Sequence, residues 1–145
     1  MKEIPQKNRF NTKVGFTCGA FDLLHAGHVL MLKEAKDQCD WLIVGLQSDP
    51  SIDRKEKNSP IQELKERQIQ LSAIKFVDEI VVYETEKDLF ELLKKLKPDI
   101  RIIGADHKGG KFTGWELPIE LYFNSRDHSY STSELRRRVT QSSGK

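Results

Sequence analysis

The chain has 145 residues and a mass of 16.7 kDa, the size of one ordinary domain that can bury a core without disulfides or a structural metal. Charged residues make up 32% and hydrophobic residues 37%, and no apolar run approaches the roughly 20 residues of a membrane helix, which excludes a spanning helix. Lys+Arg 24 against Asp+Glu 22 leaves a formal charge of +2, too small to point to nucleic acid, so any anion binding is expected to be local.

Five short runs carry the apolar and β-branched residues of strands: Lys13 to Thr17, Trp41 to Leu46, Glu79 to Tyr83, Ile100 to Ile103 and a weaker one at Ile119 to Phe123. The second and fourth lack polar alternation, as strands covered on both faces do. Helical patterns lie between them. His25 to Asp37 pairs apolar Val29, Leu30, Leu32 and Ala35 with charged Lys33, Glu34, Lys36 and Asp37. Ser59-Pro60-Ile61-Gln62 has the cap, first-turn proline and third-position Gln of a helix start. Lys87 to Leu96 forms a third helix stopped by Pro98, and a fourth begins at Ser131-Thr132-Ser133. Alternating strands and helices predict an α/β, Rossmann-like, doubly wound parallel five-stranded sheet with helices on both faces. One domain is expected over 13–140, between flexible tails at 1–12 and 141–145.

Two cysteines, Cys18 and Cys39, form no Cys-x-x-Cys pair, and the stretch from Met1 to Arg9 has no apolar core of a secretory signal. These features lead to the expectation of a reduced, cytoplasmic protein in which neither thiol is catalytic.

In an open α/β sheet, ligands bind where strands end and helices begin, so the first such turn is where chemistry is sought. Here it reads Cys18-Gly19-Ala20-Phe21-Asp22-Leu23-Leu24-His25-Ala26-Gly27-His28. It is neither a dinucleotide fingerprint nor a P-loop. Two histidines three residues apart share the first-turn face of a helix, beside backbone N–H groups that favour anions, and Gly27 leaves room for a phosphate. Asp22 either orients this loop or bonds backbone amides, and is assigned a structural role.

Gly-x-Phe-Asp-x-x-His-x-Gly-His is the signature of the cytidylyltransferase branch of the nucleotidyltransferases, and the chain resembles it at Gly19, Phe21, Asp22, His25, Gly27 and His28. Arg126, Ser131, Thr132 and Ser133 resemble the motif before that family's last helix, although the intervening residues diverge. Gly104-Ala105-Asp106-His107 and Gly110-Lys111-Phe112 resemble segments of the glycerol-3-phosphate cytidylyltransferases. By composition Asp53-Arg54-Lys55-Glu56-Lys57 is an ordinary solvated charge run; by resemblance Lys55 and Lys57 lie over the phosphates.

The resemblance implies attack of a phosphomonoester on the α-phosphorus of a nucleoside triphosphate, with pyrophosphate leaving. It makes His25, His28, Lys55 and Arg126 the expected catalytic residues. Gly19, Ala20, Phe21, His25, Gly27, His28, Lys57, Asp106, Arg126, Tyr130, Ser131, Thr132 and Ser133 are the expected nucleotide site, and Lys55 and Lys111 the acceptor side. Ser131 can also be a plain helix cap, and Trp115 can stack on a base or cover the sheet edge. No general base is assigned, because a phosphomonoester with a second pKa of about 6 is already ionised. Mg²⁺ is expected with the triphosphate, without a protein metal cage. The partners implied are CTP and a small phosphomonoester, foremost glycerol 3-phosphate, with a homodimer as the assembly and neither nucleic acid nor membrane as partner. A second reading is adenylyl transfer from ATP to a heptose phosphate, as in the heptose-phosphate adenylyltransferases of lipopolysaccharide core synthesis. Arg126, Leu23-Leu24 and Gly110-Lys111-Phe112 favour the first, whereas Ala26 between the histidines and Asn58-Ser59-Pro60-Ile61 favour the second. A third is a catalytically silent nucleotide-binding module.

Overall fold

The computed structural model describes residues 12–142. Its elements are β1 (Val14–Gly19), α1 (Ala26–Asp37), β2 (Trp41–Gln47), α2 (Leu64–Ser72), β3 (Glu79–Tyr83), α3 (Glu86–Leu96), β4 (Ile100–Ile103), β5 (Glu120–Phe123) and α4 (Thr132–Ser142). The strands form one sheet in the order β3-β2-β1-β4-β5, with every neighbouring pair parallel. The chain winds outward from β1 through β2 to β3, then returns to lay β4 on the other side of β1. The carboxyl ends of β1 and β4 therefore flank the point where the winding reverses, and a crevice opens there.

Alternation along the strands divides the apolar residues between two layers. Leu42, Val44 and Leu46 of β2 pack with Leu32 and Ala35 of α1 and Leu71 of α2. Val14 and Phe16 of β1 and Ile43 of β2 turn the opposite way, toward Leu89 and Leu93 of α3. The doubly wound five-stranded arrangement read from the sequence is the one observed. At Gly15 a side chain would not fit, because a Cβ there would stand 2.6 Å from Cys39 Sγ. Cys39 is thus a packing residue against β1, and burial pushes its thiol up to about 11.

Two boundaries differ from expectation. The second helix starts at Leu64 rather than at Ser59-Pro60, because the Ile61 and Gln62 amides bond the Asp22 carboxylate across the molecule, at 2.8 and 2.9 Å. Glu63 then becomes the cap, its N–H bonded to Glu66 Oε1 at 3.2 Å. At the other end α4 continues through Gln141 and Ser142, two residues into the expected tail. The rest of the two expected tails, 1–11 and 143–145, lies outside the described residues, whereas Thr12 is described. Among the described residues no helix is long and apolar enough to cross a membrane.

Candidate active site at the carboxyl ends of β1 and β4

After β1 the backbone turns left-handed at Phe21 (φ 50°) and again at Leu23 (φ 52°). Side chains other than glycine are disfavoured there by of order 1 kcal/mol each, so the conformation must be imposed by contacts. Phe21 is buried in the α1 and α2 layer. The carboxylate of Asp22 is fixed by the Ile61 and Gln62 amides, and the Leu23 N–H bonds Gln62 Oε1 at 2.8 Å. Arg136 of α4 adds an ion pair to Asp22 at 3.4 Å. Asp22 therefore holds together three segments that are remote in sequence.

Arg67 anchors the same region from inside. It is 2% exposed and donates to the carbonyls of Ala20 after β1, Gln47 and Ser48 at the end of β2, and Gln62 before α2. A buried guanidinium is tolerable when its N–H groups meet oxygen on several sides, and here it joins the loops that follow β1 and β2.

His25 caps α1. Its Nδ1 accepts from the Gly27 N–H at 3.0 Å, and His28 Nδ1 accepts from the His25 N–H at 3.1 Å. A ring nitrogen that accepts a hydrogen bond carries no proton, so in neutral imidazoles both protons are on Nε2. Burial, followed by the nearby His128, lowers the His25 pKa. Burial, followed by His25, lowers that of His28 to about 4, with Asp22 opposing weakly. Both rings are thus neutral near pH 7, each with an Nε2–H donor, and their centroids lie 3.9 Å apart.

The start of α4 meets the start of α1. His25 Nε2 lies 3.1 Å from Thr132 Oγ1, and Ser131 Oγ caps α4 by accepting from the Glu134 N–H at 3.1 Å. Gly27 is the point of closest approach. A Cβ there would stand 2.9 Å from His25 Cε1, 3.0 Å from His128 Cε1 and 3.0 Å from the Tyr130 carbonyl oxygen. The two helix starts, both positive dipole ends, face one space.

That space is a cavity of about 530 Å³. Of the expected residues, Gly19, Ala20, His25, Gly27, His28, Lys57, Asp106, Arg126, Tyr130, Ser131 and Thr132 line it. Phe21 lies in the core beneath the loop, and its ring centroid is 5.4 Å from that of His28. Ser133, Lys55 and Lys111 are exposed and do not line the cavity. Lys55 and Lys57 are two residues apart in an irregular turn, where that spacing does not put both side chains on one side; Arg54 lines the cavity instead. Lys111 lies with its ammonium 5.3 Å from the centre of the Trp115 ring, and Trp115 is itself exposed and outside the lining. Arg126 has left-handed backbone (φ 47°) and sits 3.9 Å from Asp106 Oδ1.

The lining also includes residues outside the expected set: Gln47, Arg54, Glu86, Arg101 and His128. A lone arginine inside the apolar run Ile100 to Ile103 was the one signal available for Arg101, since a charge in a doubly covered strand must face a partner or a cavity. Cys18 also lines the cavity, and burial pushes its thiol pKa up, away from a nucleophilic thiolate. Among the described residues there is no group of three or more His, Cys, Asp or Glu side chains arranged to hold a metal ion.

The family described as Cytidylyltransferase-like matches residues 16–138. A bifunctional protein HldE from Campylobacter curvus is 40% identical over 132 residues, covering 90% of this chain and 28% of that protein. An HldE from Helicobacter pylori strain 26695 is 42% identical over 124 residues, covering 85% of this chain and 27% of its own length. The chain spans about a quarter of the length of these curated relatives. Among solved structures, a lipopolysaccharide core biosynthesis protein from Thermoplasma volcanium superposes with a TM-score of 0.58 at 26% identity, covering 91% of this chain and 89% of that one. With the family's motif at the start of α1 and the family's match extending through nearly the whole sheet, the chain belongs to the cytidylyltransferase-like family.

Proposed function

We propose that this chain transfers a nucleotidyl group from ATP to the phosphate of a heptose-type sugar phosphate, releasing pyrophosphate. The observation that carries nucleotidyl transfer is the meeting of the α1 and α4 starts at His25 and Thr132, with two neutral Nε2–H histidines beside them. The choice of ATP and a sugar phosphate over CTP and glycerol 3-phosphate rests on the relatives, which are HldE proteins and a lipopolysaccharide core biosynthesis protein. Of the segment Gly110-Lys111-Phe112, which favours glycerol 3-phosphate, Phe112 lines the cavity and Lys111 does not.

In this reading an oxygen of the acceptor phosphate attacks the α-phosphorus. The bond from that phosphorus to the bridging oxygen breaks, and pyrophosphate departs with the electron pair. Two anions must be held in line, so the protein supplies positioning and donors aimed at growing negative charge. His25 and His28 donate from Nε2 to α-phosphoryl and leaving-group oxygens, each worth a few kcal/mol in the transition state. The N–H groups at the starts of α1 and α4 and the Thr132 hydroxyl hold the triphosphate, while Lys57, Arg54 and Arg126 supply positive charge from the rim. Among the described residues the donor set is nitrogen-rich and offers no carboxylate cage, so Mg²⁺ would come with the triphosphate rather than be held by side chains, and would add neutralisation of phosphate charge. A homodimer is the proposed assembly, on the family resemblance and on the frequency of two-fold dimers.

Pyrophosphate release tests the proposal, measured with each of the four nucleoside triphosphates across a panel of phosphomonoesters. ATP with a heptose phosphate is expected to give the highest rate. A preference for CTP with glycerol 3-phosphate would overturn the assignment of substrates, and release with no pair would overturn the reaction.

A further inference from the structure

The cavity lining also extends to the α3 side of the sheet, an arm formed by residues outside the two helix starts. Glu86, the first residue of α3, gathers the hydrogen bonds there. Its carboxylate accepts from Arg54 Nη2 at 3.0 Å, from Thr113 Oγ1 at 2.8 Å and from Gln47 Nε2 at 3.2 Å. Gln47 and Arg101 are 4% and 5% exposed yet line the cavity. Arg101 donates to the Thr113 carbonyl, and its guanidinium lies 5.2 Å from the centre of the Phe112 ring. Leu89 and Tyr83 add an apolar floor.

We infer that this arm is the acceptor subsite, and that it recognises the hydroxyl groups of a pyranose ring through Glu86, Gln47 and Arg101. The inference rests on the proposed nucleotidyl transfer to a sugar phosphate and assigns the residues that choose that sugar. An ionised carboxylate only accepts hydrogen bonds, so it offers a bare phosphate nothing, whereas it accepts from the hydroxyls of a polyol, which the amide of Gln47 and the guanidinium of Arg101 can also engage. Arg54 offsets the Glu86 charge, so the arm remains habitable for a ligand that carries a phosphate at one end. The apolar floor suits the C–H face of a sugar ring, a mixture of few polar groups and apolar wall that small-molecule pockets share. Lys57 and Arg54, which line the same cavity, then supply positive charge to the acceptor phosphate as well.

Glu86 also has structural ties, since its N–H bonds Asp53 Oδ2 and its carboxylate pairs with Arg54. The test therefore reads binding of two ligands and stability together. Isothermal titration of the chain with mannose 1-phosphate, glycerol 3-phosphate, inorganic phosphate and ATP is compared with the same titrations of Glu86→Gln, and each protein is melted. The wild type is expected to bind mannose 1-phosphate at least about tenfold more tightly than inorganic phosphate. Glu86→Gln is expected to weaken the sugar phosphate about tenfold, the loss of one charged hydrogen bond, and to leave ATP within about twofold. Equal loss of ATP and sugar phosphate affinity, or none for the sugar phosphate, would overturn the assignment. So would equal wild-type affinity for mannose 1-phosphate and inorganic phosphate. If Glu86→Gln melts far below the parent, Thr113→Val removes a hydroxyl from the same arm while keeping the Arg54 pair, and the same differential is required of it. These titrations need no turnover, so absent pyrophosphate release contradicts the proposed reaction, whereas the arm stands or falls by its own affinities.

Discussion

His25 Nε2 and Thr132 Oγ1 stand 3.1 Å apart although 107 residues separate them. The contact joins the start of α1 to the start of α4, and the tautomer set by the Gly27 N–H makes His25 the donor in it. A nucleotide phosphate bound there would compete for the same N–H. The hydroxyl of Thr132 can thus hold the ring in a ready orientation until the ligand arrives.

Replacing His28 with Asn, or His25 with Asn, is expected to lower turnover by on the order of 10² while folding is retained. Asparagine is a good helix cap and can still accept from the Gly27 amide, so the change at His25 removes the Nε2 donor with little loss of capping. Steady-state rates beside melting temperatures check this. Unchanged turnover in both variants would remove the histidines from the chemistry.

Gly27→Ala should act through space rather than charge. The new methyl would meet His25, His128 and the Tyr130 carbonyl at 2.9 to 3.0 Å, and the carbonyl belongs to backbone that cannot rotate away. Overpacking of this kind costs about 1–3 kcal/mol, and separating the two helix starts should raise the KM for the nucleotide by at least about tenfold. Nucleotide titration and thermal melts read the two effects.

The depressed pKa of His28 ties stability to pH. The unfolded ring takes up a proton near 6.5, whereas the folded ring resists until about 4. Between those values the unfolded state binds more protons, so stability conferred by the neutral ring is complete above pH 6.5 and is lost as pH falls toward 4. Melting temperatures across pH 4 to 8 should be flat at the upper end and decline below about 6.5. In His28→Asn that part of the decline should be absent; an identical slope in both proteins would contradict the burial argument.

Arg67→Ala would leave carbonyls of four residues without their donor inside the loop region. A loss of about 3–5 kcal/mol is expected, the range seen when a buried charged partner is removed, and Arg67→Lys should recover only part of it because three donors cannot reproduce the fork. Denaturant unfolding of both variants measures this.

The strands and the turn that carries both histidines were legible because each depends on local pattern: apolar runs, a glycine, and imidazoles at helical spacing. The true start of α2 was hidden because Asp22, some 40 residues away, takes the amides that a local reading gives to Ser59-Pro60. Arg67 offered no signal, since in sequence it is one polar residue on an amphipathic helix, and only folding brings four carbonyl groups to it. Lys55 reads as the equal of Lys57, but in the turns that follow Pro50–Ile52 only Lys57 of the two reaches the cavity lining. Gln47 and Glu86 became visible as partners only through the pairing of β2 with β3, which puts Gln47 opposite Tyr83.

The central claim is that the group transferred is the nucleotidyl group, and following separate labels on ATP tests it most directly. With a heptose phosphate as acceptor, label on the α-phosphorus is predicted to appear in a nucleoside diphosphate sugar, and label on the γ-phosphorus in pyrophosphate. Transfer of the γ-label to the sugar phosphate, or its release as inorganic phosphate with no α-labelled sugar nucleotide, would contradict the account.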